Sequence, residues 1–156
     1  MLIESRPLLD PELGALVTAQ QREIGGIDGG PGAVFAPDGA VEYLVAVVTG
    51  RAVACAGWQA MEAGAAELKR MYVRPAFRGR GIARQLIVAI EEESLAADRL
   101  LIRLEAGDSR PAAIALYRSC GYRPIPAYGE YAGNPDSRCF EKRLAAAHGQ
   151  ILITNG

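Results

Sequence analysis

From Leu68 to Ala83 the chain reads Leu-Lys-Arg-Met-Tyr-Val-Arg-Pro-Ala-Phe-Arg-Gly-Arg-Gly-Ile-Ala, a strand pattern that breaks at a turn and passes into a helix. A helix N-terminus leaves about four amide N–H groups without intrahelical acceptors and carries roughly half a positive charge, so it attracts phosphate oxygens. Glycines at 79 and 81 spare the turn Cβ atoms that would obstruct it or the approach of a ligand. Arg78, Arg80 and Arg84 add charge and fork-shaped donors. The chemistry implied is binding of a phosphate-bearing molecule. A P-loop would need Gly-x-x-x-x-Gly-Lys-Ser/Thr, which is absent from the chain. The Gly-x-Gly at 79 and 81 has Arg84 where a dinucleotide fingerprint needs its third glycine.

The charge distribution isolates the same segment. Lys69, Arg70, Arg74, Arg78, Arg80 and Arg84 fall in a stretch with no acidic residue, so it carries +6 and the remainder −7 against an overall −1. A basic island in an acidic chain suits a local anionic ligand better than a nucleic acid to be wrapped. The plainer alternative is a solvated helix face balanced by Glu91, Glu92 and Glu93. The 156 residues, 50% apolar and 22% charged, fit one globular domain over 1–144 followed by a tail, 145–156. The longest apolar runs, Leu44–Val48 and Leu86–Ile90, are far short of the ~20 residues that cross a bilayer. The opening Met-Leu-Ile-Glu-Ser-Arg has no apolar leader pattern, so a cytoplasmic location is expected. Cys55, Cys120 and Cys139 are odd in number and widely spaced, and the one histidine is His148, so neither a metal site nor a histidine triad is expected.

The elements that must position the turn alternate along the chain. Leu2–Ser5 is strand-like, and Asp10-Pro11-Glu12 opens a helix with an N-cap, a proline at the first helical position and an acid at the positive dipole end. Leu13, Leu16, Val17 and Ile24 form its buried stripe, and Gly25–Gly39 is a loop that could hold a short helix. Glu42–Thr49, Arg51–Met61 and Ala65–Val73 read as an antiparallel meander turning at Thr49-Gly50-Arg51 and Glu62-Ala63-Gly64. From Gly81 to about Ala96 the period becomes helical, with Ile82, Leu86, Ala89 and Ile90 inward. Leu100–Glu105 is strand-like, Arg110–Cys120 helical with Gly121 as its C-cap, and Tyr122–Pro124 and Arg138–Leu144 are the last strands. Ile151-Leu152-Ile153 in the tail either pairs with a partner's sheet edge, which would make a homodimer, or frays.

Two segments together resemble the GNAT superfamily, the N-acyltransferases that use acetyl-CoA. Its cofactor motif, Gln/Arg-x-x-Gly-x-Gly/Ala, is matched by Arg78, Gly81 and Ala83. Its Ala-x-x-Leu-Tyr-x-x-x-Gly-Phe/Tyr segment is matched from Ala113 through Leu116, Tyr117 and Gly121 to Tyr122. The likeness covers residues 2 to about 144. It implies an α/β fold, a mixed and mostly antiparallel central sheet with helices on both faces and a splay between the two central strands.

The resemblance also implies roles. Coenzyme A would contact the strand at Met71, Tyr72 and Val73, the turn at Arg78, Gly79, Arg80, Gly81, Ile82, Ala83 and Arg84, and the later helix at Ala113 and Tyr117. Where many members carry an asparagine for the pantetheine arm, this chain has Arg110-Pro111; Asp108 or Ser109 would replace that contact, or it is absent. Glu67, eleven residues before Arg78, matches a general base, against the alternative of a strand-edge carboxylate paired with Lys69 or Arg70. Tyr117 matches the general acid, against the alternative of a core aromatic. Glu105, Tyr128, Glu130 and Tyr131 offer carboxylates and rings for a cationic acceptor, a small amine or a peptide amino group; the same loop could serve as a lid or dimer contact. Cys120, at a helix C-terminus without a nearby histidine, is a poor nucleophile, which favours direct transfer in a ternary complex. Cys55, Cys120 and Cys139 are read as core, and Trp58 as a core or sheet-face residue. A non-catalytic acyl-CoA sensor is the alternative function, and a nucleic-acid module is disfavoured.

Overall fold

A computed structural model describes residues 1–24, 37–107 and 110–144. The described residues form a mixed α/β fold, a central sheet flanked by helices, with strands in the hydrogen-bonded order β1-β2-β3-β4-β5-β7-β6. The strands are β1 (Leu2–Arg6), β2 (Glu42–Val48), β3 (Arg51–Ala60), β4 (Ala65–Val73), β5 (Leu101–Gly107), β6 (Arg123–Ile125) and β7 (Ser137–Arg143). The helices are α1 (Pro11–Glu23), α2 (Ile82–Ala96) and α3 (Pro111–Ser119). The expected loop at 25–36, the Asp108-Ser109 pair and the tail from 145 lie outside the described residues. No described helix is long and apolar enough to cross a membrane.

The chain divides into two compact units, Met1–Gln59 with Lys69–Ile90, and Ala60–Leu68 with Glu91–Gly156. In the first, β1 and β2 pair antiparallel from Leu2↔Val47 to Arg6↔Tyr43, and β2 pairs antiparallel with β3 from Val48↔Arg51 to Glu42↔Trp58. Thr49 and Gly50 both have positive φ, +52° and +77°. That left-handed pair matches the twist of a two-residue hairpin, as the sequence predicts. Asp10 caps α1, its carboxylate accepting the Leu13 N–H at 2.9 Å. Leu13, Leu16 and Val17 are fully buried against Val41, Tyr43, Val45, Cys55 and Tyr72. Ile24, expected on this stripe, lies past the helix end and is exposed; the inward position in the last turns goes to Gln20.

In the second unit β5 pairs in parallel with β4 over Ala65–Glu67 against Leu101–Arg103, and β7 runs antiparallel to both β5 and β6. Alternation along β5 buries Ile102, Leu104 and Ala106 and turns Arg103 and Glu105 to the other face. Along α2, whose residues up to Ile90 belong to the first unit, the fully buried apolar positions are Leu86, Ile87 and Ile90, and Ser94 is fully buried in the second, whereas Ala89, expected inward, is half-buried. Glu91, a solvated counter-charge on the plainer alternative reading, is buried: it accepts from the Tyr122 hydroxyl at 2.9 Å and from Lys142 at 3.1 Å.

Candidate functional site

In the first unit the decisive local feature is a break in β4. Arg70 has φ +57°, a left-handed conformation that costs a non-glycine residue energy and breaks the extended backbone geometry at that one position. The carbonyls beside the break are met by side chains. The Cys55 thiol lies 3.3 Å from the Arg70 carbonyl, and the Gln20 amide Nε2 donates to the Met71 carbonyl at 2.8 Å. Burial pushes the Cys55 thiol up to about 12, so it stays protonated and able to donate. Gln20 is itself buried, and its Oε1 has no partner among the described residues. Replacing Gln20 by Leu removes one donor from Met71 and one stranded acceptor from α1. A net loss of about 1 kcal/mol is expected, measured as a lower urea midpoint at unchanged slope.

After Val73, Arg74 donates its N–H to the Val53 carbonyl at 2.9 Å and the chain makes one 3-10 turn, Pro75–Phe77. Arg78 braces this turn. Its Nε donates to the Val73 carbonyl at 2.8 Å, its Nη2 contacts both oxygens of Glu23 at 2.8 and 2.9 Å, and its guanidinium lies over the Tyr72 ring. Its backbone N–H is taken by the Pro75 carbonyl. Gly79 and Gly81 follow with φ of +78° and +80°, and a Cβ at either would meet nothing within 4 Å. Backbone conformation, rather than crowding, therefore demands glycine there, and the space over the turn is open. The bond from Gln85 N–H to Gly81 O begins α2, so the amides from Gly81 to Arg84 have no intrahelical acceptor. Ile82 is buried and anchors the first turn, while Arg84 is exposed and Arg80 packs its guanidinium over Phe77. Open amides, two arginines and left-handed glycines fit a diphosphate group.

In the second unit Glu67 is buried on β4, a strand with a neighbour on each side in the sheet rather than an edge strand. The Tyr128 hydroxyl donates to its Oε2 at 2.7 Å. Arg103 stands opposite Glu67 in the β4–β5 register; it pairs with Glu141 at 3.3 Å and lies 5.9 Å from the centre of the Tyr128 ring. Tyr131 meets Tyr128 edge to face at 5.5 Å. Burial raises both hydroxyls far above the usual tyrosine range, with Glu67 adding to each and Glu130 and Glu105 adding at Tyr131. Of the expected acceptor residues, Tyr128, Tyr131, Glu105 and Glu130 are thus brought to Glu67's surroundings, with Glu130 the exposed one.

Tyr117 is buried on α3, edge-on to Tyr122 at 6.1 Å, and Ala113 lies one turn before it, half-buried. Burial pushes the Tyr117 hydroxyl up to about 12, Arg110 opposing. Cys120, expected in the core, is only half-buried at the α3 C-cap; Cys55 and Cys139 are buried and Trp58 is half-buried on β3. No metal-binding cluster occurs among the described residues.

Comparison with known proteins identifies the family. A family model described as an acetyltransferase (GNAT) domain matches residues 39–124. An IAA acetyltransferase of Azospirillum brasilense is 35% identical over 137 residues, 87% of this chain and 86% of that protein. A Klebsiella pneumoniae structure assigned as an acyl-CoA N-acyltransferase superposes with TM-score 0.79 at 32% identity, covering 92% of this chain and 97% of its own. A Bacillus subtilis acetyltransferase solved with CoA shares the fold, with TM-score 0.68 at 16% identity over 91% of this chain and 97% of that one. On these grounds the chain belongs to the GNAT family of acetyltransferases.

Proposed function

We propose that this acetyltransferase moves an acetyl group from acetyl-CoA to a primary amine, a small molecule, amino acid or peptide N-terminus, by direct attack in a ternary complex. The observation that carries the reading is Glu67, a buried carboxylate held by a tyrosine hydroxyl on the strand whose other end leads into the glycine turn. The amides from Gly79 to Ala83, with Arg80 and Arg84, would hold the cofactor's diphosphate, and Met71 to Val73 its pantetheine arm. When bound, acetyl-CoA supplies an acyl group already activated as a thioester.

An alkyl amine with a pKa of about 10 is an ammonium ion at neutral pH, and its nitrogen cannot attack until it loses a proton. Glu67 receives that proton. Tyr117, kept neutral by burial, holds the proton that the departing sulfur needs. Glu105, Glu130 and Tyr131 give the acceptor's positive charge favourable surroundings before the proton is lost. Rate also comes from holding amine and thioester together.

The test is release of free thiol from acetyl-CoA across a panel of primary amines. Release that depends on both amine and protein supports the reading. Silence across the panel, with saturable binding of coenzyme A by calorimetry, supports a non-catalytic acyl-CoA sensor instead.

A further inference from the structure

We infer that Tyr128, in the loop between β6 and β7, is the positioning residue of the base: its hydroxyl fixes the Glu67 carboxylate in one orientation. The inference rests on Glu67 being the base, but its physical content is the contact between the two side chains. A hydroxyl at 2.7 Å from a carboxylate oxygen is a charge-assisted hydrogen bond, and it is most valuable where the carboxylate has left bulk water.

The donor is itself held. Tyr131 closes on the Tyr128 ring edge to face at 5.5 Å, and the Arg103 guanidinium, fixed by Glu141, lies over the same ring at 5.9 Å. The Tyr128 hydroxyl stays protonated well beyond neutral pH, so it remains a donor wherever the base works. Glu67, Arg103 and Glu141 stand in one cross-strand row over β4, β5 and β7, and Tyr128 reaches into this row from a loop 61 residues away in sequence. A loop that would otherwise be assigned only to acceptor contact thereby controls the proton-accepting group.

The experiment is the cycle of Tyr128→Phe, Glu67→Gln and the double variant, read by steady-state kinetics and, on the protein without cofactor, by urea unfolding at neutral pH. Phenylalanine keeps the ring that Tyr131 and Arg103 pack against and removes only the hydroxyl. The expected results are a kcat about tenfold lower with the amine KM nearly unchanged, a drop in urea midpoint from Y128F that is smaller in the E67Q background, where the bond has lost its charge, and no further loss of kcat from Y128F in that background. Urea midpoints that Y128F lowers equally in both backgrounds, or the same tenfold loss of kcat in the E67Q background, overturn the inference. A raised KM at wild-type kcat also overturns it and makes Tyr128 an acceptor contact. Full activity of E67Q would sink the base assignment separately, since the coupling of the urea midpoints still reports whether Tyr128 serves Glu67.

Discussion

Glu67→Gln is expected to lower kcat for an alkyl amine by about 10²–10⁴-fold at neutral pH, the range for removing a positioned general base. Glutamine has nearly the same shape and its amide oxygen can still accept from the Tyr128 hydroxyl, so the row with Arg103 and Glu141 has every reason to stay intact. What glutamine cannot do is take a proton. The deficit should therefore depend on the acceptor: large for an alkyl amine, small for an aryl amine that is already neutral at pH 7. It should also narrow as the assay pH approaches the alkyl amine's own pKa of about 10, because solvent then supplies the free base. Steady-state kcat measured against pH for one amine of each kind checks both points. A uniform loss across acceptors would mean that Glu67 maintains the fold rather than accepting the proton.

How far the sequence reaches this site is shown by particular residues. Local chemistry is legible: Asp10-Pro11-Glu12 announces the start of α1, and the Asp10 carboxylate does accept the Leu13 N–H. Thr49-Gly50 announces a hairpin, and Gly79 and Gly81 a left-handed turn at the head of a helix. Each of these depends on residues within a few positions of one another. Periodicity is legible to about one position. It places Leu13, Leu16 and Val17 inward but carries the stripe on to Ile24, because nothing in the pattern says that α1 ends at Glu23 or that a glutamine takes the inward place. It likewise selects Ala89 where Ile87 is the buried residue.

Long-range polar partners are not legible at all. Gln20 reaches Met71 across 51 residues, Tyr128 reaches Glu67 across 61, and Tyr122 reaches Glu91 across 31. A buried hydrogen bond between strands or loops leaves no spacing signature, since its partners are set by register. The break at Arg70 is hidden for a different reason. Left-handed backbone usually advertises itself through glycine or asparagine, and here an arginine adopts it, while Gln20 and Cys55 take up the carbonyls beside it. A glutamine facing inward on α1 is the one trace that such a demand leaves in the sequence.

Tyr117→Phe is expected to lower kcat by about 10²–10⁴-fold as well, again the range for a general acid, with little change in affinity for coenzyme A. The ring carries the packing against Tyr122, so phenylalanine should keep α3 in place and remove only the hydroxyl. Alkaline pH separates the acid from a merely buried aromatic. Burial holds the hydroxyl protonated to about 12, against an ordinary value of 10.0, so between those values the unfolded chain gives up a proton that the folded chain keeps. The group's folded value is raised, so its contribution to stability is complete below pH 10 and is lost as pH rises towards 12. A shift of this size corresponds to roughly 2–3 kcal/mol. Wild-type protein should therefore lose stability in urea over that window by more than Y117F does. Its kcat, in contrast, should show no loss assignable to Tyr117 until the same window is reached, because the acid remains charged with its proton throughout neutral and mildly alkaline pH. A wild-type kcat in Y117F, together with the lost alkaline sensitivity of folding, would make Tyr117 a core residue and move the proton for sulfur to solvent.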